Sequence, residues 1–61
     1  MKPSDVRQYY GSSYNFRKQT KMSGTSLQNW VRWGFVPFVS QKKIEELTNG
    51  KLVAVWDEKE L

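Results

Sequence analysis

A 61-residue chain with neither cysteine nor histidine has few ways to stay folded. A domain this small buries only about 60% of the surface its unfolded chain exposes, so its stability margin is thin. Domains of this size usually add disulfides or a structural metal. Both routes are closed here. With them go zinc-finger sites, cysteine nucleophiles, histidine general bases and serine–histidine triads. What remains is an apolar core in which nine aromatic residues, three each of Trp, Tyr and Phe, supply much of the bulk. The same absences argue against an enzyme: no catalytic residue, metal ligand or cofactor is expected. Residues 1–61 are expected to form a single domain.

The N-terminal residues Met1-Lys2-Pro3-Ser4-Asp5 lack the apolar region of a signal peptide. The most apolar stretch, Trp33 to Val39, is seven residues long and contains Pro37. A membrane span needs about 20 apolar residues. The expectation is a soluble protein with no membrane partner and no small-molecule ligand. The missing cysteines fit a reducing cytoplasm.

Charge is the first positive signal. Residues 1–43 carry eight basic groups against the single acid Asp5, a net +7. Residues 44–61 carry Lys51 and Lys59 against Glu45, Glu46, Asp57, Glu58 and Glu60, a net −3. This asymmetry suggests a body that binds a polyanion, with an acidic end held away from it. An ordinary basic surface is the plainer alternative. Asp57, Glu58 and Glu60 resemble paired catalytic carboxylates only on paper, since no pocket perturbs them in an unconstrained tail. They read as solubilising.

The pattern predicts a mainly α protein, a compact bundle of four to five short helices with an extended C-terminal segment. Ser4 is placed to cap a first helix over 5–10, which Gly11 stops. Ser12 or Ser13 caps a second helix, roughly 14–20, anchored by Phe16. Ser23 or Gly24 opens a third, through Trp33. On that helix Leu27, Trp30, Val31 and Gly34 share one face at 100° per residue. Thr25, Gln28, Asn29 and Arg32 fall opposite, in a sector about 100° wide. Gly34 ends the helix and Pro37 delays the next. Ser40 caps a fourth helix with Ile44 and Leu47 pointing inward, terminated at Asn49-Gly50. Residues 51–56 are rich in β-branched side chains and read as extended, packing on the helices or pairing with another chain. Trp30 reads as core, Trp33 as core or flank, and Tyr9 and Tyr10 as core and rim. Lys42 and Lys43 suit either phosphate or solvent.

Two short helices, a tight connection at Lys21-Met22-Ser23 and a helix with a small polar face make a helix-turn-helix candidate. Gln28 and Asn29 each carry a donor and an acceptor on one planar amide, as adenine N6/N7 recognition requires. Thr25 suits a hydroxyl contact or a thymine methyl, and Arg32 suits guanine or phosphate. Gln, Asn and Arg are also common on a solvated helix face, and the helix alone leaves both readings open.

Gly11-Ser12-Ser13, the run Met22 to Trp30 and the segment Trp33-Gly34-Phe35-Val36-Pro37 resemble the Cro repressor family of lambdoid bacteriophages. The continuation Ile44 to Leu52 is similar to that family's fourth helix and the segment after it. The resemblance implies a lambda-repressor-like fold and a sequence-specific transcriptional repressor of double-stranded operator DNA. It further implies a viral protein acting in the bacterial host cytoplasm, a weak homodimer that is dimeric on DNA. Its third helix would dock in the major groove of a pseudo-palindromic operator. The family's base-reading face falls on Ser23, Gly24, Thr25, Gln28 and Asn29. Ser13, Arg17, Lys18, Lys21 and Arg32 fall where phosphates would be held. Three positions depart from the family: Lys21 stands where a left-handed glycine is usual, Asn15 for the small residue that lets helices two and three pack, and Thr20 for an aliphatic. The rival resemblance is a phage excisionase, an architectural DNA-binding protein in which a similar Gly-x-Val-Pro exit leads into a β-hairpin wing.

Overall fold

The computed structural model describes residues 1–60. Four α-helices succeed one another: α1 (Pro3–Tyr10), α2 (Ser13–Thr20), α3 (Gly24–Trp33) and α4 (Phe38–Leu47). A single 3₁₀ turn closes the described chain at Glu58–Glu60, and no strand forms among the described residues. The body measures 29 × 24 × 17 Å.

The helix ends obey local chemistry, with two corrections. Ser4 does not cap α1. The helix starts earlier, with Lys2 at the cap and Pro3 in the first turn, where a missing N–H costs nothing. The Asp5 carboxylate accepts from the Lys2 backbone N–H at 2.9 Å, satisfying a donor at that end. Nor does Ser40 cap α4. Pro37 holds the cap position with φ −53°, and its carbonyl accepts from Gln41 N–H at 2.9 Å, so the proline launches the helix instead of delaying it. The caps at Ser12 and Ser23 form as their sequence suggests: Ser12 Oγ accepts from Asn15 N–H at 3.1 Å, and Ser23 Oγ from Thr25 N–H at 3.2 Å.

The core is Val6, Tyr10, Phe16, Leu27, Trp30, Val36 and Ile44, with Met1, Met22 and Leu52 packed on its margin. Its centre is an edge-to-face series. Tyr10 meets Phe16 at 5.5 Å and 82°, and Phe16 meets Trp30 at 5.6 Å and 85°, which ties α1 to α2 and α2 to α3. Such pairs each contribute about 0.5–1.5 kcal/mol beyond their buried area. Two expected core residues lie outside. Val31 is 54% exposed, because the buried seam of α3 runs through Leu27 and Trp30 and leaves Val31 on its flank. Leu47 is 47% exposed, because Ile44 and Thr48, one turn apart, fill the inward line of α4. Trp33 is also half-exposed and stacks on Phe35 at 5.9 Å.

The C-terminal segment is not the extended strand expected, and no fifth α-helix forms among the described residues. Residues 51–57 have no regular secondary structure and fold back on α4. Side chains of that helix and of its C-cap residue take the place of a strand partner. Leu52 N–H donates to Thr48 Oγ1 at 3.2 Å, and Val55 N–H donates to Gln41 Oε1 at 2.9 Å. Gln41 is fully buried, whereas its sequence position does not distinguish it from a solvated helix glutamine.

Candidate functional site

The surface of interest is built on α2, α3 and the three residues between them. The α2 C-terminus closes with Lys21 N–H donating to the Arg17 carbonyl at 3.0 Å. Lys21 itself takes the left-handed conformation, φ 63° and ψ 14°. Thr20 explains how the chain leaves that conformation in register. Buried at 3% exposure, its hydroxyl donates to the Phe16 carbonyl at 2.7 Å and accepts from Met22 N–H at 3.1 Å. A threonine at this position therefore clamps the connection by hydrogen bonds where an aliphatic side chain would only pack. Met22 then turns inward against the core and Ser23 starts α3.

Burial of Leu27 and Trp30 fixes the rotation of α3. Thr25, Gln28 and Arg32 consequently face solvent, and Asn29 is half-buried on the same side. Ser23 is exposed at the helix start, its hydroxyl oxygen already accepting from Thr25 N–H; Gly24 is half-buried beside it. All five residues expected to read bases thus lie on the N-terminal and outward surface of α3.

Among the residues expected to hold phosphate, Arg17, Lys18, Lys21 and Arg32 are exposed and Ser13 is half-buried in the first turn of α2. Arg17 lies beside the start of α3: a Cβ placed on Gly24 would stand 4.0 Å from Arg17 Cδ. Its guanidinium carbon lies 5.9 Å from the centroid of the exposed Tyr14 ring. The structure corrects the role expected of Asn15. That residue is exposed, points back to donate to the Tyr10 carbonyl at 3.2 Å, and does not set the approach of α2 to α3. The edge-to-face contact of Phe16 with Trp30 joins the two helices. The Tyr14–Arg17 pairing is an i, i+3 spacing on a helix, a signal that the sequence carries but that charge and periodicity do not single out. Ser13 and Lys18 lie on α2 with this group.

The electrostatics are one-sided. No acidic residue occurs between Val6 and Ile44. Among the described residues the one ion pair is Lys42–Glu45 at 3.6 Å, on α4. Arg17, Lys18, Lys21 and Arg32 are therefore not neutralised by an acid among the described residues, and their positive potential extends into solvent. The carboxylates lie on α1 (Asp5), on α4 (Glu45, Glu46) and near the C-terminus.

A separate open cleft of about 750 Å³ lies between the start of α1 and residues 51–59, lined by Lys2, Asp5, Leu52, Val55, Trp56 and Lys59 among others. It contains none of the residues expected to read bases or hold phosphate. Among the described residues no helix is long and apolar enough to cross a membrane. No family model, no curated protein and no solved structure matches the chain.

Proposed function

We propose that the chain is a sequence-specific double-stranded DNA-binding transcriptional repressor of the Cro kind, working in the cytoplasm of a phage-infected bacterium. On this reading α2, the left-handed Lys21 and α3 form a helix-turn-helix, and α3 enters the major groove of a pseudo-palindromic operator. The observation that carries the proposal is the outward face of α3. Its small polar and amide side chains stand over a buried Leu27–Trp30 seam and are flanked by four cations that no acid of the described residues pairs. A merely solvated face has no need to segregate its charges so completely.

The roles divide by chemistry. Gln28 and Asn29 read adenine edges, Thr25 a thymine methyl or a single acceptor, and Ser23 and Gly24 keep the helix start narrow enough to approach the bases. Arg17, Lys18, Lys21, Arg32 and the hydroxyl and N–H of Ser13 hold phosphate and set the register. One domain with five reading residues covers too few base pairs to select a genomic site. A weak homodimer completed on DNA doubles the contacts, with half-sites about one helical turn apart. The excisionase alternative is disfavoured by the path of the chain after Pro37, which enters α4 and not a β-hairpin.

The test is a salt titration of duplex binding. Each phosphate contact contributes roughly 0.9 log unit of affinity per log unit of salt. A steep dependence that falls by about one contact in each of Lys18→Ala and Arg32→Ala supports the proposal. An affinity for duplex DNA that ignores salt, or no binding at all, overturns it.

A further inference from the structure

Arg17 is not held as a free surface cation would be. A lone arginine on a two-turn helix samples many rotamers and loses that freedom on binding. Here a neighbouring ring narrows its choice. Gly24, at the first position of α3, lies beside the Arg17 stem, 4.0 Å from where a Cβ would stand. Tyr14, one turn earlier on α2, lays its ring 5.9 Å from the guanidinium. Ser23 caps the helix beside which the stem lies, its Oγ accepting from Thr25 N–H at 3.2 Å. Tyr14 itself is 61% exposed and adds nothing to the core. An aromatic ring of that size on a basic surface has no packing role to explain it, and the group over its face is Arg17.

We infer that Tyr14 is a positioning residue, whose ring preorganises the Arg17 guanidinium beside the first turn of α3 for a DNA phosphate next to the bases that helix reads. The inference rests on the DNA-binding reading and deepens it. The guanidinium supplies the charge; the tyrosine supplies only its orientation. Gly24 lies beside the arginine stem without obstructing it, since a Cβ there would meet Arg17 Cδ only at an ordinary contact distance of 4.0 Å. The ring face attracts the cation through its quadrupole, and a tyrosine or a phenylalanine does this about equally.

Two measurements test it. The first needs no DNA. In the free protein the Arg17 side-chain protons should carry an upfield ring-current shift in the NMR spectrum, retained in Tyr14→Phe and lost in Tyr14→Leu. The second is a double-mutant cycle on a random-sequence duplex. Tyr14→Leu should weaken binding about two- to fivefold, the worth of one exposed cation–π contact, and leave the salt slope unchanged. Arg17→Ala should lower the slope by about 0.9. Tyr14→Leu added to Arg17→Ala should cost nothing more, and Tyr14→Phe should bind as the parent does. Additive losses, or a Tyr14→Phe variant as weak as Tyr14→Leu, would mean that the tyrosine touches DNA on its own account, and would overturn the inference while leaving the DNA reading intact. An absent ring-current shift overturns it directly. A parent protein that binds no duplex while showing the shift sinks the DNA reading, and the positioning role falls with it.

Discussion

The side-chain amide of Gln41 holds both backbone polar groups of Val55: Oε1 accepts from Val55 N–H at 2.9 Å, and Nε2 donates to the Val55 carbonyl at 2.9 Å. The same amide donates to the Val36 carbonyl at 2.8 Å, and its oxygen also accepts from the Met1 amino group at 2.6 Å. One buried side chain thus fastens the loop after α3 and the C-terminal segment to α4. Gln41→Leu keeps the volume but strands the Val36 carbonyl, and a buried unpaired group costs about 1–3 kcal/mol. The urea midpoint should fall accordingly, and the Val55 amide should lose its protection from hydrogen exchange. An unchanged midpoint would remove Gln41 from its structural role.

Truncation after Gly50 should unfold the protein. It removes Leu52 from the margin of the core and deprives Thr48 and Gln41 of their partners at residues 52 and 55. With stability normally only about 0.05–0.15 kcal/mol per residue, a chain this short has little to lose. Circular dichroism on the shortened chain decides the point. A folded product would show that residues 51–56 are dispensable to the monomer and free to serve a second copy. If the product is unfolded, the contact of the proposed dimer should be sought around Trp33, Phe35 and Phe38.

Lys21→Gly should raise stability and weaken DNA binding at once. A non-glycine at φ 63° costs on the order of 1 kcal/mol, which the glycine relieves. In a domain of this size that is about 4–8 °C in melting temperature. The lost cation should lower the salt slope of duplex binding by about 0.9. Thermal melts and salt titrations of the one variant check both signs. A more stable protein with an unaltered slope would take Lys21 out of the phosphate set.

Burial, reinforced by the neighbouring Tyr9 phenolate, pushes the Tyr10 phenol above its ordinary value of 10.0. The folded state therefore holds this proton more tightly than the unfolded chain does. Its contribution is fully present below pH 10, the unfolded value, and is lost as pH rises through the folded value. Stability should decline in that alkaline window, and Tyr10→Phe should flatten the decline. Denaturation measured against pH checks it, and a variant that tracks the parent would assign the loss elsewhere.

The elements legible from the sequence are those set by short-range chemistry. Gly11 and Gly34 at positive φ, serines 12 and 23 as caps, and the Leu27–Trp30 seam are all consequences of residue type and spacing. Pro37 misleads because the same residue ends one helix pattern and suits the entry to another; only the path of the chain decides which. Val31 and Leu47 sit at the edge of an apolar arc, where 100° per residue does not say which flank the neighbouring helix covers. The C-terminal segment looks like a strand from its β-branched residues, but β-propensity reflects packing context more than backbone preference. Its actual partner, Gln41, is a polar residue whose burial depends on contacts 14 positions away. The outward face of α3 is readable because burial of one seam fixes the other. The arginine beside Gly24 is not, since a long side chain's path between two helices leaves no periodic trace.

Whether α3 reads base sequence is decided by selection of bound duplexes from a random pool. The parent protein should recover a palindrome with half-sites about one helical turn apart. Gln28→Ala and Asn29→Ala should each lose about 1–3 kcal/mol of discrimination at defined positions of that palindrome, with non-specific binding little changed and Thr25→Ala losing less. Recovery of no enriched sequence, or of the same sequence at full discrimination from all three variants, would contradict base reading by α3.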